Sequence, residues 1–206
     1  MNRTATAAAI LLLAASMVAG CADMPGRDSG WVTLIDGAKG LENWDRVGDA
    51  NWRAEDGAIV ADTGKGGFLV TKQPYQDFQI RIEFWAAPSA NSGIYMRCAD
   101  GKALTDKTCY EANIFDQRPD PTYGTGAIVH HAAVPHNKYK AGGQWNTYDI
   151  TVKGNEVTVM LNGVQTAKLT HDQLKSGPIG LQYGTLPPKG EPGGAIKFRK
   201  VQIRTI

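Results

Sequence analysis

The run Tyr110-Glu111-Ala112-Asn113-Ile114-Phe115-Asp116 sets an acid and an amide at alternate positions between apolar residues, which is strand spacing. Glu and Asn are poor strand formers, so their side of the strand needs a reason. Two earlier segments carry comparable groups. FQIRIEFW puts Arg81, Glu83 and Trp85 opposite Phe78, Ile80, Ile82 and Phe84, and GIYMRC opposes Tyr95 and Arg97 to Ile94 and Met96. Carboxylates of this kind move protons or hold a cation, and a guanidinium holds a carboxylate or an oxyanion. Aromatic faces stack on C–H groups, and amides satisfy hydroxyls. If the three strands are neighbours, with a hairpin through AAPSANS bringing Glu83 near Tyr95 and the next pairing setting Arg97 opposite Glu111, the set forms one patch suited to a sugar. Each residue alone would fit a solvated sheet face with weak cross-strand charge pairs. Large aromatics interleaved with opposite charges favour a binding face for the set.

The elements that must position these groups are strands. YDITVKGNEVTVMLNGV reads as two strands around Gly154-Asn155, with a further turn at Asn162-Gly163, and GPIGLQYG and IKFRKVQIRTI supply two more. Twenty-four glycines and ten prolines punctuate them. No helical period of useful length occurs, and THDQLK is expected to make one short helical turn capped by Thr170. Many short strands alternating apolar and polar predict an all-β sandwich, jelly roll or barrel built of antiparallel sheets. GKGG at 64–67 lacks the phosphate-loop pattern and reads as a turn. RPDPTYGTG, stiff at Pro119 and Pro121 and free at Gly124 and Gly126, reads as a connection or a lid.

Residues 1–20 read as an export signal, with Arg3 ahead of an apolar run from Ala7 to Val18. Val18-Ala19-Gly20-Cys21 resembles the bacterial lipobox, which implies cleavage before Cys21 and lipid on its thiol. Residues 21–30 then form a tether and 31–206 a single domain. The expected location is the bacterial cell envelope on the periplasmic side, with Ala22 after the cysteine favouring the outer membrane. The formal net charge of +2 falls by one when Arg3 is removed, so nothing suggests nucleic acid, and the membrane contact is the lipid anchor. Cys98 and Cys109 remain, in a compartment where disulfides persist, and a bond between them is expected. Their opposite strand parity requires at least one to sit at a strand end or bulge.

The segments LIDGAKGLENW, NWRAEDGAIV, GGFLVTKQPYQDFQIRIEFW, NSGIYMR, YEANIFD, GQWNTYDITVKGNEVTVMLNGV, GPIGLQ and IKFRKVQIR, in this order, resemble the bacterial family named for 3-keto-glycoside lyase, hydratase or hydrolase activity. The resemblance runs from about Val32 to the C-terminus. It implies a concanavalin-like jelly-roll sandwich with a concave polar face, and a carbohydrate substrate. In a 3-keto sugar the ketone acidifies the C2 proton. A base can remove it, the C1 substituent leaves to give a 3-keto-glucal, and water completes a net hydrolysis. Such chemistry needs a base, a positive group or metal at the enolate oxygen, and an acid for the leaving group.

Glu111 is the first candidate, as base or metal ligand, and Glu83 matches a second acidic position of the family motifs. Asp116, Arg97 and His130 complete the catalytic set. Trp85, Tyr95, Asn113, Gln182 and Asn91 are the expected substrate-binding residues. His130, His131 and His136 lack a ligand spacing that would enforce a metal cluster, so one of them as the base is the better reading, and His171 is expected to be exposed. The sequence leaves the cofactor open, with a divalent metal as one option, and leaves the oligomeric state open. The absence of an E-x-D-x-x-E strand argues against an ordinary retaining glucanase. The competing readings are a non-catalytic lectin-like carbohydrate-binding module and an envelope protein that uses the sheet face for a protein partner.

Overall fold

The computed structural model describes residues 30–206. The proposed signal, Cys21 and nearly all of the tether lie outside the described residues. Fifteen strands occur in chain order: β1 (Val32–Asp36), β2 (Trp44–Gly48), β3 (Arg53–Glu55), β4 (Ala58–Ala61), β5 (Gly67–Thr71), β6 (Phe78–Ala86), β7 (Ser92–Met96), β8 (Tyr110–Ile114), β9 (Trp145–Lys153), β10 (Glu156–Leu161), β11 (Val164–Thr170), β12 (Gly180–Tyr183), β13 (Thr185–Leu186), β14 (Glu191–Pro192) and β15 (Ile196–Thr205). Eight of them form a large sheet in the order β11-β10-β9-β6-β15-β4-β3, with β1 added on β15. A second sheet has the order β2-β5-β12-β7-β8, and β13 pairs with β14. All pairings between strands are antiparallel. The fold is the expected all-β jelly-roll sandwich.

The two sheets pack face to face through one apolar core. Phe78, Ile80, Ile82 and Phe84 of β6 are buried with Tyr148, Ile150 and Val152 of β9 and Phe198, Val201 and Ile203 of β15. Leu69, Ile94, Met96, Ala112, Ile114, Leu181 and Tyr183 belong to the same core from the five-stranded sheet. The period of two in each strand thus separates a core face from an outer face.

Alternation does not say which sheet a strand joins, and here the expected geometry is corrected. The segment after β6 is a crossover between sheets rather than a hairpin: β6 pairs with β9 and β15, whereas β7 pairs with β8 and β12. Glu83 and Trp85 therefore lie on the outer face of the large sheet, on the far side of the core from Tyr95 and Glu111. THDQLK makes no helix; its Thr170 closes β11 and the rest is irregular.

The Cys98–Cys109 disulfide is formed, with Cα atoms 4.2 Å apart. The parity conflict is resolved by Arg97, which has φ of 50° just after β7 and turns the chain out of the strand. Cys98 sits two residues past the end of β7 and Cys109 immediately before β8. The loop they close folds back over the outer face of the small sheet. There Leu104, Cys98, Cys109, Val70 and Tyr95 make a second, smaller apolar cluster. Gly180 permits this approach, since a β-carbon there would stand 2.4 Å from a Leu104 methyl.

Candidate active site

Three strands of the small sheet bring the polar groups together. In the β7–β8 register Tyr95 lies directly opposite Glu111 and Gly93 opposite Asn113, while Gly180 of β12 lies opposite Tyr95. The Glu111 side chain leans over Gly93, where a β-carbon would come within 2.5 Å of its Oε1. The glycine is thus the space in which the carboxyl sits. On the other side, Gln182 donates from Nε2 to the Tyr95 hydroxyl at 2.9 Å. Phe68 meets the Tyr95 ring edge-on at 4.9 Å and fixes its tilt.

Above these residues is a cavity of about 540 Å³. Its lining includes Glu111, Tyr95, Gln182 and Asn91 from the expected set. Asn91 donates from Nδ2 to the Thr185 carbonyl, tying the start of β7 to the Thr185–Gly190 segment that forms one wall. Asp106 of the disulfide loop stands on another wall, and Phe115, Arg118, Pro119 and Asp120 on a third. Sequence reasoning missed Asp106, Arg118 and Asp120. The signals were faint: Asp106 lies in a loop read only as a disulfide closure, and Arg118 and Asp120 open RPDPTYGTG, read as a connection or lid.

Glu111 is only 4% exposed. Burial pushes its carboxyl up to about 8; the Tyr95 hydroxyl and the Arg118 charge pull it back, and the Asp106 charge pushes it further up. Burial, and then the Glu111 charge, hold the Tyr95 phenol well above its ordinary value. Two buried acceptors, Gln182 Oε1 and Asn113 Oδ1, have no protein partner. The amide of Asn113 is otherwise spent locally, donating to the Tyr123 carbonyl at 2.5 Å. A buried acceptor without a donor is costly, and a ligand hydroxyl at Gln182 would relieve it.

The remaining expected residues take other places. Arg97 is buried and holds the sandwich together: its guanidinium donates to the Gln76, Gly154 and Leu174 carbonyls at 2.7, 2.8 and 3.1 Å and to Asp77 at 2.9 Å. It is not opposite Glu111, where Tyr95 stands, so an oxyanion role is removed. Asp116 is no free acid over the cavity. It accepts from Thr125 Oγ1 at 2.6 Å and from the Ala141 and Gly142 amides at 3.0 and 2.8 Å, which fixes a loop beneath a separate hollow. Glu83 pairs with Arg199 at 2.7 Å and Trp85 lies under Lys197, both on the other sheet. His130 is set behind the cavity wall and its Nε2 contacts Asp106 Oδ2 at 2.9 Å. His171 is not merely exposed: its Nδ1 shares a 2.9 Å hydrogen bond with the Tyr110 hydroxyl, and His131 lies 4.7 Å away ring to ring. Among the described residues no group of three or more His, Cys, Asp or Glu gathers as a metal site.

A jelly roll whose smaller sheet bears an aromatic, two amides and a buried acid in one cavity falls in the class of lectin-like and glycosidase-like β-sandwiches. Within that class the chain belongs to the 3-keto-alpha-glucoside-1,2-lyase-like domain family, whose pattern matches residues 30–204. It is 28% identical over 167 residues to a 3-keto-disaccharide hydrolase of Bacteroides thetaiotaomicron, covering 65% of this chain and 57% of that protein. The chain thus spans little more than half the length of that relative. A crystal structure of a protein from Parabacteroides distasonis, assigned as a glycosyl hydrolase, is 25% identical with a TM-score of 0.67 over 85% of this chain and 99% of its own. A carbohydrate-binding module of Bacillus subtilis shares the fold at 13% identity and a TM-score of 0.51, over 85% of this chain and 96% of its own.

Proposed function

We propose that the protein cleaves 3-keto-glycosides by elimination and hydration, with Glu111 as the acid–base group. The observation that carries this reading is a carboxyl buried at the floor of a polar cavity and pushed up to about 8. Such a carboxylate is a far stronger base than an exposed one and is still partly ionised near neutral pH. It takes the C2 proton of the sugar, and the electron pair enters the enediolate as the C3 carbonyl accepts charge. The C1–O bond then breaks, and the leaving oxygen takes a proton from a water molecule. The hydroxide so formed adds to C1, and Glu111 returns its proton to C2. The sum is hydrolysis. Arg118 on the cavity wall offers the positive charge for the enediolate, and Gln182 and Asn91 orient hydroxyls.

Binding of carbohydrate also follows the family relatives and the fold likeness. The envelope placement completes the proposal: the chain is held by lipid on Cys21, on the periplasmic side of the outer membrane. A Cys21→Ala chain recovered in the soluble envelope fraction would support the anchor, and one that stays with the membrane would exclude it.

The test of the activity is mass-resolved turnover of a 3-keto-glucoside, with and without a chelator. Release of the aglycone with a 3-keto-glucal or the free 3-keto sugar, abolished in Glu111→Gln, is expected. Loss under chelation would add a metal. A second reading, a carbohydrate-binding module without catalysis, draws on the amide-rich cavity; binding of unoxidised sugars with no turnover of several 3-keto substrates would establish it instead.

A further inference from the structure

The outer face of the large sheet, remote from the cavity, carries three of the five tryptophans, each under a cation. Trp85 of β6 and Trp145 of β9 are directly opposite one another, which brings their β-carbons to roughly 5 Å. Trp145 is 38% exposed, the most solvent-accessible aromatic of the core-forming strands. The Arg199 guanidinium lies 4.2 Å from its ring, and Lys197 Nζ lies 5.2 Å from the Trp85 ring. Arg199 reaches this place because β15 shifts register between Phe198 and Lys200, a bulge that turns an extra side chain outward. At the other end of β15, Arg204 lies 4.9 Å from the Trp31 ring.

The charges on this face are not all matched. Arg199 is paired with Glu83, Arg81 with Asp149 and Lys200 with Asp36. Lys197 and Arg204 make no direct ion pair among the described residues; Lys197 lies within range of the Asp62 charge, and Arg204 is bonded to the Gln79 amide oxygen. These two cations without a direct ion pair mark the ends of a track about 23 Å long, given seven residues of strand. Each stands beside an indole. An aromatic face for sugar C–H groups next to an unpaired cation for a carboxylate is complementary to a uronate-type sugar, and the length suits a polymer rather than a monosaccharide.

We propose that this face is a second glycan-binding surface, selective for an acidic polysaccharide, with Trp85, Trp145 and Lys197 as its principal contacts. It is independent of the cavity: the core and the whole of the other sheet separate the two.

The test is affinity electrophoresis of the purified full chain in gels containing polygalacturonate, with dextran gels as the neutral comparison. Retardation by polygalacturonate alone is expected, reduced at least tenfold in apparent affinity by Trp145→Ala and by Lys197→Gln, with turnover of a small 3-keto-glucoside unchanged. Circular dichroism of each variant shows that the sandwich is intact. Should Trp145→Ala misfold, Lys197→Gln and Trp85→Phe carry the same comparison. No retardation, equal retardation by dextran, or retardation insensitive to both substitutions would overturn the proposal. Equal binding to vesicles of anionic phospholipid, lost in the same variants, would also overturn it in favour of a lipid surface.

Discussion

In the proposed reaction Glu111 carries the chemistry, and its behaviour can be predicted from what surrounds it. If the ionised form is the base, kcat/KM should rise with pH, reach half its maximum near 8, the value to which burial pushes this group, and level above it. A profile that falls through the same range would make Glu111 a proton donor instead. Gly93 is the second sensitive position. Gly93→Ala inserts a methyl 2.5 Å from Glu111 Oε1, so the carboxyl must move. Displacement by about 1 Å is expected to lower kcat some hundredfold while leaving the melting temperature within a few degrees. Unchanged turnover in that variant would show that the present carboxyl position is not the reactive one. The placing of Glu111 on the polar side of a strand was legible in YEANIFD, because an acid inside a strand is locally unfavourable. That of Gly93 was not. A glycine in a strand signals a close approach, but nothing in the chain says what approaches.

At the scale of elements, the disulfide loop and Arg97 do separate jobs. The loop places Asp106 on the cavity wall and Leu104 over Gly180. Replacing both Cys98 and Cys109 by Ser is expected to cost about 2–3 kcal/mol in denaturant unfolding, the range for a short closed loop, and to impair turnover further than that loss explains. Equal turnover per folded molecule would show the loop to be a brace only. Arg97 binds the backbone at Gln76, Gly154 and Leu174, three points far apart in sequence. Arg97→Ala leaves Asp77 and these carbonyls without their cation and is expected to destabilise by about 3–5 kcal/mol, read as a shift in urea midpoint. A midpoint within error of the parent would remove the structural role. Sequence parity put Arg97 beside Tyr95 because it assumed that the strand continued; the positive φ at Arg97 ends it. The strands themselves were legible from their alternation. Their partners were not, because β6 pairs with residues 145–152 and 196–205, well beyond the span over which a turn fixes register.

For the molecule as a whole, burying Glu111 links stability to pH. Its folded value, about 8, is above the ordinary 4.5. The folded state therefore holds the proton more tightly, a contribution fully present below about 4.5 and lost as pH rises through about 8. Urea midpoints should fall from pH 5 to pH 9, and Glu111→Gln should reduce that fall; a parallel decline in both proteins would place the effect elsewhere. One further property follows from the position of β8 at the end of the five-stranded sheet. Its outer edge is not open: the Asn113 amide donates to the Ala127 carbonyl, and the Gly126 and Val129 amides donate back to the Asn113 and Glu111 carbonyls. A short irregular segment thus completes the hydrogen bonding of the strand that bears Glu111, with no further strand beyond it among the described residues. The stretch between, residues 115–125, is anchored at both ends and presents Phe115, Arg118, Pro119 and Asp120 to the cavity. A substitution at Pro119 or Asp120 is therefore expected to reshape the cavity wall while the strand that carries Glu111 keeps its register.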